Sequence, residues 1–391
     1  MSNRGRVLVT GGCGYVGSHV VKQLVEAGED VVVVDDLSTG FAESLLGGYP
    51  VFADCGDSEF MRDVLVDYRV DTVMHLAAKI VVPESVFSPL RYYGANTCTS
   101  RRLLEACVSA RVERVVFSST ASVYGDVPNG VASEDTPTAP SNPYGRSKLM
   151  TEWMLRDAAV AHDLRYVALR YFNVAGADPE ARIGQRTKTA THLIKRACEV
   201  AAGKSDQLGI FGTDYATPDG TAVRDYIHVE DIASAHLAAL VYLRDGGSSE
   251  VLNCGYGRGA SVRQVIAAVE RAHGAPLRRR FFAWRSIGHR TTSWAATNRT
   301  CTAGGSSRGT GSSTCTYTSS FAATTIARCT ITRGSGARGC WPARTPSIAS
   351  PLAASTCATP TRREQCAARC RALRTGWRWS AAAGLCSSRD L

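Results

Sequence analysis

The chain has 391 residues with 45 Lys+Arg against 35 Asp+Glu, and its formal charge of +10 joins two unlike parts. Residues 284–391 hold 15 Arg, no Lys, one Glu and one Asp, so they carry +13 and leave −3 on residues 1–283. The basic balance belongs to the last part; it implies neither a nucleic-acid nor a membrane partner for the first 283 residues, which suffice for one large or two smaller domains. No apolar run follows the N-terminal arginines and no uncharged stretch reaches about 18 apolar residues, so neither signal peptide nor membrane span is expected, and the location expected is the cytoplasm. Cys13, Cys55, Cys98, Cys107, Cys198 and Cys254 lack a disulfide-like cadence and read as reduced apolar fillers. Eight further cysteines follow residue 284 without a C-x-x-C or a histidine cluster, and no metal is expected.

In chain order, Val7–Val9, Val31–Val34, Pro50–Ala53, Thr72–Leu76, Val115–Phe117 and Tyr166–Leu169 are short apolar runs separated by helix-length segments. Continuous apolarity implies burial on both faces, hence an α/β fold with a doubly wound parallel sheet and ligands at the carboxyl ends of its strands. From Tyr171 the rhythm loosens into loops around Gly209–Gly220 and helices over Val229–Leu243 and Ser261–Ala272. Residues 1–170 read as a dinucleotide-binding Rossmann domain, and 171–283 as a smaller substrate region that returns to the sheet. In 284–391 valine and lysine are absent while eight Cys and five Trp are present, which suits neither a linker nor a basic RNA-binding tail. GC-rich DNA read out of frame from near codon 284 yields this mixture. A patternless tail, out of frame or disordered, is therefore expected.

Val9-Thr10-Gly11-Gly12-Cys13-Gly14-Tyr15-Val16-Gly17 follows a strand and opens a helix running to about Ala27. Glycines at 11, 14 and 17 allow a tight turn, close approach of a pyrophosphate and close helix–strand packing, and the helix N-terminus favours an anion. Such a trio alone is often only a turn. Here Asp35-Asp36 ends the second strand, where a carboxylate binds ribose hydroxyls and repels a 2′-phosphate, favouring NAD over NADP. Its alternative role is to begin the turn Leu37–Gly40.

Tyr144-Gly145-Arg146-Ser147-Lys148 lies on a helix beginning near Pro143, where positions i and i+4 share a face. A neighbouring ammonium favours phenolate and suits Tyr144 to general-base work. Phe117-Ser118-Ser119-Thr120, ending a strand 24 residues upstream, supplies a hydroxyl. Without it, Tyr144 and Lys148 read equally well as a solvated helix face.

These motifs together resemble the extended short-chain dehydrogenase/reductase family. Asp36-Leu-Ser-Thr-Gly40, Glu84-Ser85, Ser118-Ser-Thr-Ala-Ser-Val-Tyr-Gly125, Leu169-Arg-Tyr-Phe-Asn173, Ile210-Phe-Gly-Thr-Asp-Tyr215 and Pro218–Val229 are similar to its UDP-glucose 4-epimerase branch, over roughly residues 5–283. The resemblance implies an isomerase of galactose metabolism that interconverts UDP-galactose and UDP-glucose by transient oxidation at C4. In it Tyr144, Lys148 and Thr120 are catalytic, with NAD held by Gly11, Gly14, Tyr15, Val16, Gly17, Asp35, Asp36, Asp54, Cys55, Ala77, Lys79, Asn96, Thr120, Tyr144, Lys148 and Phe172. It implies substrate contacts at Thr120, Tyr144, Asn173, His192, Leu193, Phe211, Arg224 and Tyr226, and a homodimer through helices near 89–109 and 143–161. Arg224 suits a diphosphate as a two-pronged cation; a surface ion pair with Asp225 or Asp219 is its alternative.

Three departures stand out. The lysine after His75 is Lys79, whereas relatives place one at the position of Ile80. His192 replaces an asparagine. The C-terminal block, with a second diphosphate-binding arginine and the residue that gates sugar size, has no match after Ala283. Another NAD-dependent nucleotide-sugar epimerase or dehydratase, or a catalytically impaired nucleotide-sugar/NAD-binding protein, are the alternative functions.

Overall fold

The computed structural model describes residues 5–127, 130–187, 191–282 and the strand Ala295–Ala296; the expectation for the tail otherwise lies outside the described residues. The first half runs β1 Arg6–Thr10, α1 Tyr15–Glu26, β2 Val31–Asp35, β3 Tyr49–Phe52, α2 Ser58–Asp67 and β4 Val70–His75. Helices α3 Val82–Phe87, α4 Pro89–Tyr92 and α5 Thr99–Ser109 lead to β5 Arg114–Thr120, β6 Val131–Ala132 and α6 Pro143–Ala161. The remainder is β7 Arg165–Tyr171, β8 Asn173–Ala175, α7 Leu193–Ala201, β9 Leu208–Phe211, β10 Val223–His228 and α8 Val229–Arg244. It closes with β11 Glu250–Cys254, β12 Gly259–Ser261, α9 Val262–His273, β13 Arg279–Phe282 and β14 Ala295–Ala296.

Seven strands form one parallel sheet in the order β11-β7-β5-β4-β1-β2-β3. Because β1 pairs with both β2 and β4, the chain reverses its direction of travel there, and the crevice above β1 and β4 is where such sheets bind ligands. Successive residues of β1 point to opposite faces. Val7 and Val9 pack with Val20, Val21 and Leu24 of α1 and with Leu240 and Leu243 of α8. Leu8 joins Met61 and Leu65 of α2 and Leu103 and Cys107 of α5. Each such buried side chain contributes about 1.5–3 kcal/mol, which is why the strands read as unbroken apolar runs.

Two expectations change. The strand around Pro50–Ala53 is β3, an edge with Tyr49 and Phe52 exposed, because only one neighbour covers it. Cys98 is exposed rather than a filler, while Cys13, Cys55 and Cys107 are buried. Beyond Tyr171, β8 and β10 run parallel beside β12, β9 pairs with β13, and β11 supplies the seventh strand of the main sheet.

Candidate active site

The three glycines of the β1–α1 loop answer to three different constraints. Gly11 adopts φ +70°, and a Cβ there would lie 2.7 Å from the Ala77 backbone nitrogen. At Gly17 a Cβ would stand 2.1 Å from the Gly11 carbonyl oxygen, so α1 lies directly against the loop. At Gly14 the nearest atom would be the Gly11 oxygen at 3.1 Å, and no other falls within 4 Å. Gly14 therefore keeps open ground before the N-terminus of α1, whose first turn carries no acidic side chain. Open space, first-turn amides and no competing carboxylate fit the pyrophosphate of a dinucleotide. Val16 packs against the core beneath, and the Tyr15 hydroxyl donates to the Gly176 carbonyl at 2.7 Å, tying the loop to the chain beyond β8.

Asp35 is buried and accepts from the Cys13 amide at 2.9 Å and the Leu37 amide at 2.8 Å. Burial raises its pKa and those two amides oppose the rise. The neighbouring Asp36 is exposed and accepts from the Ser38 amide, so Asp35 braces the loop while Asp36 presents its carboxylate to solvent. Asp35 and Asp36 thus begin the turn Leu37–Gly40, with the Asp36 carboxylate exposed at the end of β2. Asp54 accepts from the Gly56 amide at 2.8 Å at the end of β3, and the adjacent Cys55 thiol is pushed up to about 12 by burial in the core. Past β4, the Asn96 amide clamps the Lys79 backbone, accepting from its N–H at 2.8 Å and donating to its carbonyl at 3.0 Å. Asn96 also donates to Ser147 Oγ on α6, so its side chain fixes this loop to that helix.

Asn142 caps α6 by accepting from the Gly145 amide, and Pro143 sets its first turn. The helix thereby starts where Tyr144 comes beside Thr120, the last residue of β5, whose hydroxyl favours the phenolate. Lys148 is buried, donates from Nζ to the Ser118 carbonyl at 2.8 Å and lies 4.9 Å over the Phe117 ring. The expected lowering of the phenol does not occur: burial pushes Tyr144 up to about 12, with only the Thr120 bond opposing. Burial also brings Lys148 down to about 7, against the Glu152 charge that supports it. Desolvation is thus the largest influence on both groups.

Beyond Tyr171, Asn173 lies opposite Tyr226 in the β8–β10 register, with Arg224 two residues earlier on the same face of β10. Arg224 is half-buried, donates to the Val223 carbonyl at 2.8 Å, and is lowered by burial. Tyr226 is pushed up to about 12 by burial, opposed by Arg224. Asp225 accepts from the Tyr256 and Gly257 amides, and Asp219 from the Thr221 amide and the Thr221 and Ser261 hydroxyls. His192 precedes Leu193 at the start of α7, its ring pairs with Gln185 at 2.8 Å, and its pKa is lowered by burial and Lys195. Phe211, 56% exposed, stacks on Phe282 at 5.1 Å, and Phe172 packs with Val123, Tyr124 and Leu149.

Sequence reasoning passed over four residues beside this site. Ser118 holds Lys148 through its carbonyl and bonds Tyr171 through its hydroxyl. Glu152 and Arg170 form a buried ion pair at 2.6 Å behind them. The i+4 step from Lys148 to Glu152 is a sequence signal for Glu152 alone; Arg170 comes from β7.

Residues 7–255 match the NAD dependent epimerase/dehydratase family. A UDP-glucose 4-epimerase from Azospirillum brasilense is 58% identical over 270 residues, covering 69% of this chain and 78% of that protein. One from Halalkalibacterium halodurans is 43% identical, covering 69% and 81%. The crystal structure of UDP-glucose 4-epimerase from Brucella ovis in complex with NAD matches with a TM-score of 0.72 at 42% identity, over 75% of this chain and 90% of that one. The Bifidobacterium longum UDP-glucose 4-epimerase in complex with NAD+ and UDP gives 0.71 at 35%, over 75% and 90%. With its glycine loop, paired aspartates and Tyr144–Lys148 helix on one doubly wound sheet, this chain belongs to the NAD dependent epimerase/dehydratase family.

Proposed function

We propose that the chain is an NAD-dependent UDP-glucose 4-epimerase that interconverts UDP-galactose and UDP-glucose through transient oxidation at C4. The observation that carries this is the placing of Tyr144, one helical turn before the buried Lys148 on α6, beside Thr120 at the carboxyl end of β5, in the sheet whose switch point holds the Gly11–Gly17 loop. Tyr144 Oη takes the proton of the sugar 4-hydroxyl and returns it, while Thr120 aims the phenol and Lys148 adds charge from behind. When bound, NAD would supply hydride acceptance and return at C4, and a positive charge that favours the phenolate. Gly11, Gly14, Tyr15, Val16 and Gly17 receive its pyrophosphate and Asp35–Asp36 its adenosine ribose. Asp54, Cys55, Ala77, Lys79, Asn96 and Phe172 line the rest of the cofactor site. Arg224 takes the substrate diphosphate, with Asn173, His192, Leu193, Phe211 and Tyr226 around the nucleotide sugar.

The chain carries counterparts for 78% of the Azospirillum brasilense protein, and that observation favours a second reading, a protein that binds NAD and nucleotide sugar without turnover. A UDP-galactose to UDP-glucose coupled assay beside a binding titration separates the two. Conversion without net NADH supports the first, and tight binding without conversion the second. Tyr144→Phe is expected to lower kcat by about 10²–10⁴-fold with NAD affinity unchanged; retained turnover refutes the role of Tyr144.

Exposed Phe87, Leu90, Trp153 and Val160 on α3, α4 and α6 support a homodimer through this face. No described helix is long and apolar enough to cross a membrane. The free thiols of all six described cysteines suit a reducing cytoplasm.

A further inference from the structure

We propose that Glu152 is a positioning residue that keeps the Lys148 side chain charged, acting through a buried carboxylate locked to β5 and β7. Tyr144, Lys148 and Glu152 follow one another at four-residue steps and share one face of α6. The carboxylate is fully engaged. Ser119 donates to Oε1, Arg170 Nε donates to Oε1 at 3.0 Å, and Arg170 Nη2 donates to Oε2 at 2.6 Å. Arg170 is held in turn by the Tyr124 hydroxyl at 2.9 Å, and Tyr124 donates to Asn253 of β11 at 2.6 Å. Helix α6 is thus bolted to three strands just behind Thr120.

A buried ion pair is a weak source of stability, because desolvation offsets most of its attraction. Its carboxylate acts on Lys148 beside the Ser118 carbonyl and the Phe117 ring, the neutral groups that also favour an ammonium. The groups facing Lys148 are the Ser118 carbonyl and Phe117 ring of β5, His75 of β4, and Tyr144 and Glu152 one turn to either side on α6. His75 is itself brought down to about 3 by burial and Lys148, and so stays neutral near pH 7. Facing Glu152 are Ser119 on β5, Arg170 and Tyr166 on β7, and Lys148. Among the described groups acting on Lys148, Glu152 is the anion, and it opposes the burial that brings the ammonium down to about 7. Arg170 and Ser119 prevent the carboxylate from swinging away.

The inference rests on the epimerase reading only in its kinetic arm. The test uses the full-length chain saturated with NAD, as wild type, Glu152→Gln and Glu152→Asp, with carbon-13 at the ε position of its six lysines. Glu152→Gln keeps the shape and removes the charge; the Lys148 resonance is expected to titrate about one pH unit lower. Glu152→Asp draws the charge back by one methylene and shifts the midpoint the same way by less than half as much. In the coupled assay kcat is displaced toward acid in the same order, with KM for UDP-galactose unchanged. Should Glu152→Gln fail to fold, wild type against Glu152→Asp decides. An unmoved Lys148 midpoint in the folded variants overturns the proposal, as does a kcat lowered by the same factor at every pH. A chain without turnover would refute the epimerase reading, while the resonance shift would still decide the role of Glu152.

Discussion

Gly14 and Gly17 both sit where a pyrophosphate-binding loop demands glycine, yet alanine at the two positions should fail in opposite ways. At Gly17 the added Cβ lies 2.1 Å from the Gly11 oxygen and 2.8 Å from the Gly12 Cα, so α1 must retreat by about 1 Å from the loop. Alanine gains about 1 kcal/mol of helix propensity over glycine, but overpacking against backbone typically costs about 1–3 kcal/mol and here has no flexible side chain to yield. We expect a net loss of about 2 kcal/mol, or roughly 4–8 °C in Tm. Gly14 has φ −76°, which alanine adopts freely, and its Cβ would meet only the Gly11 oxygen, at 3.1 Å. Gly14→Ala should therefore melt within about 0.5 kcal/mol of wild type. Its methyl would instead stand in the ground a pyrophosphate must approach, weakening NAD about 10–100-fold, or roughly 1.4–2.8 kcal/mol. Thermal melts without NAD and calorimetric titration with it separate the two effects. A Gly14→Ala protein that melts as low as Gly17→Ala, or that binds NAD like wild type, refutes the assignment of the open ground to the cofactor.

Three further outcomes follow from buried charge and from the composition break. His75 is held neutral between Thr10 at 2.7 Å and Ser100 at 2.8 Å, with its pKa brought down to about 3 by burial. Below pH 6.5 the unfolded chain takes up a proton that the folded chain refuses, so this residue alone should cost about 2 kcal/mol at pH 5; urea midpoints at pH 7 and 5 for wild type and His75→Asn check it, and an equal acid loss in both refutes it. Lys22 of α1 bonds Asp178 and Glu230, each at 2.8 Å, and despite burial these partners raise its pKa. Lys22→Met should destabilise by about 3–5 kcal/mol in urea unfolding, because two carboxylates lose a buried partner; a loss under 1 kcal/mol would show that Arg182 and His19 compensate. Finally, DNA sequenced across codons 278–290 should reveal an alternate frame encoding a helix-forming continuation, and its absence refutes the frame-slip reading.

What could be read from the chain, and what could not, divides along one physical line. Local pattern sufficed wherever a residue's role depends on its own neighbours in sequence. Val7–Val9 is apolar at every position because helices cover both faces of β1, and Gly11, Gly14 and Gly17 are spaced by the turn they make. The same holds for Tyr144 and Lys148, which one helical turn brings together. It failed wherever the sign of an effect depends on how much water folding removes. A lysine one turn away should lower a phenol, and it would on a solvated helix; here burial keeps Tyr144 at about 12 and takes Lys148 to about 7. Local pattern failed again where partners come from separate strands. Arg170 finds Glu152 only because β7 lies beside β5 in register, Ser119 against Arg170, and no spacing in the sequence announces that pairing. Both failures meet at one place, the buried ground behind Tyr144. Tyr144 and Lys148 there are legible as a motif, whereas the Glu152–Arg170 pair behind them emerges only once the sheet is assembled.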